Sequence, residues 1–234
     1  MVPYALAMGD VPVVMVHGWG GSFRDTWQQP GWEALLNDVG RTVVGVDLLG
    51  HGDAPKPHDP AAYHNLGERV AEAVPAGLFD AVGFSLGAIT LLRMACQPDS
   101  RIRRLVLMGI GESVFRNDPE ASARIVAAIE GTAPSDDVGS QVFAQYAHRP
   151  GNDPVALAAI FKRPRSVPLT PDDIAAVSCP TLLILGDRDF AGPAEPLVEA
   201  LPTCVHVSLR NTDHFATTEN FKAIDAVLEF LTEA

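Results

Sequence analysis

The stretch Gly83-Phe84-Ser85-Leu86-Gly87 sets a serine between two glycines, at the junction of an apolar run and a helix-like one. A serine hydroxyl is a poor nucleophile near neutral pH. It becomes a good one when a base takes its proton, a further group orients that base, and donors await the oxyanion that forms. Gly83 and Gly87 leave room for a turn tight enough to put Ser85 in unusual backbone angles and aim its hydroxyl into a pocket. The Leu86 amide then points at the developing oxyanion from a helix N-terminus. The bland alternative is a strand-to-helix connection carrying a solvated serine.

A second glycine-rich stretch, His17-Gly-Trp-Gly-Gly-Ser22, follows the first strong apolar run. Its glycines let the Trp19 amide approach as a second oxyanion donor while the indole lines the pocket. A phosphate-binding loop is disfavoured, because neither GxGxxG nor GxxxxGK[ST] spacing is present. Asp47, His51 and Asp53 in DLLGHGDAPKP are too few to hold a metal, so no metal is expected.

These residues need a frame to bring them together. Six short runs dense in Val, Leu and Ile begin at Val11, Arg41, Phe79, Arg103, Thr181 and Thr203. Nearly continuous in apolar character, they read as buried parallel strands of an α/β chain, a doubly wound, mostly parallel sheet covered on both faces. Helices are expected at 32–39, 61–74, 86–96, 193–200 and 215–231. The last places Phe221, Ile224, Val227, Leu228 and Leu231 on one face. The alternation breaks from Gly111 to about Leu169, where ASARIVAAIEGT, SQVFAQYAH and DPVALAAIFKR read as three short amphipathic helices. This predicts a core domain of residues 1–110 and 170–234 interrupted by a helical cap of residues 111–169. Thr170, Pro171 and Asp173 form a capping-box signature where regular structure resumes.

Bulk properties narrow the function. With Lys+Arg at 17 against Asp+Glu at 29, the net charge is −12, so there is no basic surplus for nucleic acid or an anionic membrane. Cys96, Cys179 and Cys204 are odd in number and lack metal-ligand spacing, so all three are read as core thiols of a reducing compartment. Residues 1–10 carry no basic leader with an apolar core. No apolar run approaches a spanning length, and a soluble, cytoplasmic monomer or homodimer is expected.

Taken in order along the chain, HGWGG, DLLGHGDAPKP, GFSLGA, GDRDFAGP and DHF resemble the α/β-hydrolase fold superfamily, specifically its capped, cofactor-free, esterase-like branch. The resemblance covers almost the whole chain outside 111–169. It implies a triad in the order Ser, Asp, His, with DLLGHGDAPKP shaping the floor of the site. The family pattern Gly-x-x-Asp with a proline four residues on matches Gly186, Asp189 and Pro193, which implies Asp189 as the acid and a local hydrogen-bonding role for Asp187. Glu112 stays a further candidate, because some members place the acid after the strand preceding the cap. Of seven histidines, His214 is best placed as the base. His17 and His51 fall in glycine-rich loops where they brace backbone, His58 and His64 in polar surface-like sequence, His148 in the cap and His206 within a strand as a core residue. With ten residues before Val11, the usual leading strand pair does not fit, so an edge strand is expected to be missing or short.

A serine at position 85 excludes by residue type the family's dehalogenases and epoxide hydrolases. Trp19, Phe115, Phe190 and Phe215 are expected to contact substrate, with Phe84, Leu86 and Met108 nearby, which favours a small to medium, largely apolar ester. In the cap, Phe143, Tyr146, Ile129, Leu157 and Ile160 either line the pocket or seal the cap, whereas Arg124, Arg149, Lys162 and Arg163 are available to a substrate carboxylate. The leading expectation is hydrolysis of a carboxylic ester, thioester or lactone through an acyl-enzyme on Ser85. Carbon–carbon bond hydrolysis, enol-lactone hydrolysis or an elimination on the same triad is the alternative enzyme reading. A small-molecule receptor of the same fold is the reading from another class.

Overall fold

A computed structural model of the chain describes residues 11–74, 76–164 and 167–233. Residues 1–10, on which the expectations about a leader and a missing edge strand bear, lie outside the described residues. Six strands, β1 (Val13–Val16), β2 (Val43–Val46), β3 (Phe79–Phe84), β4 (Ile102–Met108), β5 (Thr181–Gly186) and β6 (Cys204–Leu209), form one parallel sheet in the order β2-β1-β3-β4-β5-β6. All six expected strands are present. The chain runs outward from β1 to β2 and then returns to the other side of β1, so the crevice beyond the carboxyl ends of β1 and β3 is the topological switch point where α/β sheets bind ligands.

Period-two alternation divides the sheet's side chains between two layers. Val14, Val16, Ala81, Leu105, Leu107, Leu183 and Leu185 pack with helices α2 (Gly67–Ala73), α3 (Leu86–Ala95) and α8 (Glu195–Ala200). Val13, Met15, Val82, Val106, Met108, Leu182 and Ile184 pack on the other face with α1 (Trp32–Asp38) and α9 (Phe221–Thr232). Two expectations fail at the margins. The edge strands β2 and β6 are largely not buried, because a strand with one neighbour leaves part of its surface to water; His206 is accordingly exposed rather than a core residue. Cys179 is buried, but Cys96 and Cys204 are only partly so. On α9 the face against the sheet is Ala223, Val227 and Leu231, with Ile224 and Leu228 at its margin, while Phe221 at the helix start is 82 % exposed.

Between β4 and β5 the chain inserts a 3-10 turn (Glu112–Phe115) and helices α4 (Pro119–Ile129), α5 (Val138–Ala147) and α6 (Pro154–Lys162). Asp118, Asp137 and Asp153 cap their first turns, each accepting from a backbone amide. The short helix α7 (Pro171–Ala175) returns the chain to the sheet. There Thr170 and Asp173 close the expected capping box.

At the opposite end of β3 from Ser85, Asp80 is fully buried between two arginines. Arg103 grips it with Nε at 2.8 Å and Nη2 at 2.6 Å. Arg41, itself 2 % exposed, donates to Asp80 and to the carbonyls of Val11 and Leu231, tying β3 to the start of β1 and the end of α9. Removing one member of such a cluster strands its partners' charges in a dry setting, which costs about 3–5 kcal/mol. Asp80→Ala is therefore expected to lose stability of that order in urea denaturation; a loss below about 1 kcal/mol would show that Arg41 and Arg103 do not depend on it.

Candidate active site

Ser85 follows the last residue of β3 and precedes the first of α3, with φ 52° and ψ −114°. A non-glycine residue there costs on the order of 1–3 kcal/mol and persists only when its surroundings enforce it. The neighbouring backbone does so. A Cβ on Gly87 would stand 2.4 Å from the Val16 carbonyl oxygen, and one on Gly83 would stand 2.7 Å from the Cα of Ala88. Strand, turn and helix can meet this closely only through glycine. The Ser85 amide donates to Met108 O at 2.8 Å and its carbonyl accepts from Ile89 at 2.9 Å, fixing both sides of the bend.

His214 lies in the loop between β6 and α9 and is 5 % exposed. Its Nε2 is 2.9 Å from Ser85 Oγ, and its Nδ1 is 2.9 Å from each oxygen of Asp189. With Asp189 ionised, Nδ1–H donates to the carboxylate, which leaves Nε2 free to accept the serine proton. Asp189, its side chain fully buried, is aimed by the turn after β5: the Ala191 amide donates to Oδ1 at 2.8 Å. That turn is packed against the His214 loop, since a Cβ on Gly186 would stand 2.1 Å from Thr212 O, and the Arg188 amide donates to the same oxygen at 3.1 Å. Asp187 accepts from the Thr212 amide at 3.3 Å, a local bond as expected. Glu112 pairs with Arg116 at 3.1 Å rather than with a histidine. The imidazole packs among Phe84, Phe190 and Phe215, with ring centroids 5.0, 4.3 and 5.5 Å away.

Beyond β1, Gly18 passes so close to the elbow that a Cβ there would meet the Phe84 ring at 2.9 Å and Ser85 Cβ at 3.2 Å. The next residue, Trp19, lines a cavity of about 430 Å³ together with Ser85 and His214. Leu86 opens α3 directly after Ser85, so its amide has no carbonyl one helical turn earlier to bond.

His17 braces this loop. It is fully buried, its Nδ1 lies 2.7 Å from Gly18 O, and its Nε2 accepts from the Leu48 amide at 3.1 Å. Two such partners call for the neutral ring with its proton on Nδ1. Burial lowers the pKa of His17, and burial together with the neighbouring His17 lowers that of His51 well below the ordinary value. A histidine whose folded-state pKa is depressed binds fewer protons than it does unfolded, so stability falls as pH drops below the ordinary value of 6.5. Urea midpoints at pH 7.5 and pH 5 are expected to show this fall, and His17→Asn to reduce it; an identical pH slope in the variant would remove His17 as a cause. Asp47 accepts from the amides of Phe23 at 2.7 Å and Asp53 at 2.8 Å, a loop brace. No cluster fit for a metal ion exists among the described residues.

The expected aromatic contacts divide. Trp19 and Phe215 line the cavity, joined by Phe84 and, from the insertion, by Phe143 and Tyr146. Phe190, 62 % exposed, does not line the cavity but packs near the imidazole, with ring centroids 4.3 Å apart. Phe115 packs instead against the main core, Met108 is fully buried, and Ile129, Leu157 and Ile160 are buried in that same core. Arg149 lines the cavity with its guanidinium 3.6 Å from the Tyr146 ring centroid, whereas Lys162 pairs with Glu130 and Arg124 lies 3.9 Å from Asp137. Asn152 has no signature in the sequence. It ties insertion to loop by donating to Gly20 O at 2.9 Å and Tyr146 O at 2.8 Å. The Trp19 indole adds a second tie, donating to Leu157 O at 3.2 Å.

The architecture agrees with what the chain is similar to. The sequence model of the alpha/beta hydrolase fold matches residues 11–143, and the chain belongs to that family. Curated relatives include the 2-hydroxymuconate semialdehyde hydrolase of Pseudomonas sp. (strain CF600), 34 % identical over 107 residues that cover 42 % of this chain and 36 % of the relative. An esterase of Mycobacterium tuberculosis is 29 % identical over 121 residues, covering 49 % of this chain and 38 % of its own. These alignments thus span little more than a third of each relative's length. Among solved structures, the enol-lactonase from Burkholderia xenovorans LB400 superposes with a TM-score of 0.72 at 21 % identity, covering 95 % of this chain and 92 % of the other; at that identity the likeness speaks for the fold alone.

Proposed function

We propose that the protein is a serine hydrolase that cleaves a small to medium, largely apolar carboxylic ester, thioester or lactone through an acyl-enzyme on Ser85. The observation that carries this reading is the continuous contact from Ser85 Oγ through His214 to the buried Asp189 carboxylate. Ser85 Oγ attacks the acyl carbon as His214 Nε2 takes its proton, and the carbonyl oxygen becomes an oxyanion held by the amides of Trp19 and Leu86. Collapse breaks the bond to the alcohol, which leaves with the proton from His214. Water then attacks the acyl-enzyme through the same base and releases the acid.

Asp189 keeps the imidazole in the tautomer that can accept the serine proton. The helices of residues 111–169 act as a cap, and Trp19, Phe143, Tyr146 and Phe215 give the acyl portion an apolar wall. A cavity of about 430 Å³ suits a small-molecule substrate. Hydrolysis of p-nitrophenyl esters of graded chain length tests the reading: a burst followed by turnover, both abolished in Ser85→Ala, is expected. Ligand-dependent stabilisation without turnover on any ester or lactone would favour a receptor instead.

A further inference from the structure

A second cavity, of about 650 Å³, lies along α2 and α3, and Arg163 at the end of α6 forms part of its wall. Arg93 also faces it. Each guanidinium is held by a backbone carbonyl: Arg93 Nη2 donates to Val167 O at 2.8 Å, and Arg163 Nη1 to Ile160 O at 2.7 Å. Among the described residues neither has a carboxylate within ion-pair distance. Asp173, which acts on Arg93 from further off, is occupied by the amide and hydroxyl of Thr170. The segment RPRSVPL, from Arg163 to Leu169, supplies no acid either.

Both groups sit where a cation is disfavoured. Burial lowers the pKa of each, and Arg93 lowers that of Arg163 further. Two like charges drawn partly out of water have, among the described residues, no carboxylate in contact of the kind that normally accompanies a buried cation; Asp173 acts on Arg93 only from a distance. A planar guanidinium keeps several donors beyond the one each carbonyl takes, in a geometry suited to an oxyanion. The rest of this wall includes Leu86, Ile89 and Met94, apolar side chains on the α3 face. Glu68 also lines the groove but is engaged by Asn65 at 3.1 Å and by His64 at 3.6 Å; Asp99 marks a part of it that an anion avoids.

We propose that this groove is a second ligand site, taking an organic anion whose carboxylate or phosphate head sits on Arg93 and Arg163 and whose apolar body lies along Ile89 and Met94. Because Leu86 also carries one of the amides assigned to the oxyanion, an occupant would touch the residue next to the nucleophile without entering the cavity over Ser85.

The test is titration of the full chain with acetate, octanoate, inorganic phosphate and octyl phosphate, following the Arg163 Nε–H resonance, identified by its loss in Arg163→Gln, together with the melting temperature. Saturable movement of that resonance is expected. The eight-carbon anions should act at concentrations at least about tenfold lower than acetate and phosphate, with a rise in Tm that Arg163→Gln removes. Preference between octanoate and octyl phosphate tells which head the site takes. If Arg163→Gln does not fold, Arg93→Gln serves, since it should weaken the same response at least about fivefold. No movement of the Arg163 resonance with any of the four, or a Tm rise undiminished in the variants, overturns the proposal. Equal potency of acetate and octanoate overturns the apolar part of it.

Discussion

Replacing Ser85 by alanine is expected to lower kcat on an accepted ester by roughly 10⁴ to 10⁶ while leaving the melting temperature close to that of the parent. The loss is large because the hydroxyl that His214 Nε2 contacts, at 2.9 Å, is that of Ser85. The fold should survive because the elbow is enforced by Gly83, Gly87 and the backbone bonds of residue 85, none of which uses the hydroxyl. His214→Gln should fall as far, since an amide cannot carry the proton between serine and leaving group. His214→Ala is a less clean test, because removing the ring also empties the space among Phe84, Phe190 and Phe215. A double variant that loses the sum of the two single losses in free energy would mean that the two side chains do not act as a unit, which instead predicts a loss close to that of either single variant.

The second large effect is expected at Asp189. Asp189→Asn should cost about 10⁴ in rate, because a neutral amide can turn its NH₂ toward Nδ1 and so stabilise the tautomer whose Nε2 already carries a proton. Binding should change little, so the loss should appear in kcat rather than KM. Glu112→Gln is expected to stay within a few-fold of the parent, as Glu112 bonds Arg116 on the surface of the 3-10 turn. The reverse ranking would transfer the orienting role to Glu112. The full burial of the Asp189 side chain makes a stability loss possible to measure alongside the rate, and kcat at a temperature well below both melting points separates the two.

What the sequence disclosed and what it hid follow from the kind of information each residue carries. The elbow was legible because Gly83 and Gly87 are backbone positions where any Cβ collides; a close approach leaves its mark in residue type. The four inner strands were legible because burial on both faces demands continuous apolar character. Strand order is not written locally, so the exposure of β2 and β6, and with it that of His206, emerged only with the sheet assembled. Helical spacing gave the stripe of α9 but could not tell that its first residue, Phe221, is left exposed. The same limit applies to the insertion. Phe143 and Tyr146 on the cavity, and Leu157 and Ile160 in the core, are alike in sequence and differ only in what they meet. Asn152, an asparagine between Gly151 and Asp153, reads as an ordinary loop residue until its two carbonyl partners are seen.

Acylation of Ser85 can be seen by mass spectrometry of the protein quenched early in turnover of a p-nitrophenyl ester. One acyl group per chain, located by peptide mapping on Ser85, is expected to accumulate with the burst of p-nitrophenol and to be absent when Ser85 is alanine. Hydrolysis that proceeds with the acyl group on another residue, or undiminished in the alanine variant, would contradict the assignment of Ser85 as nucleophile.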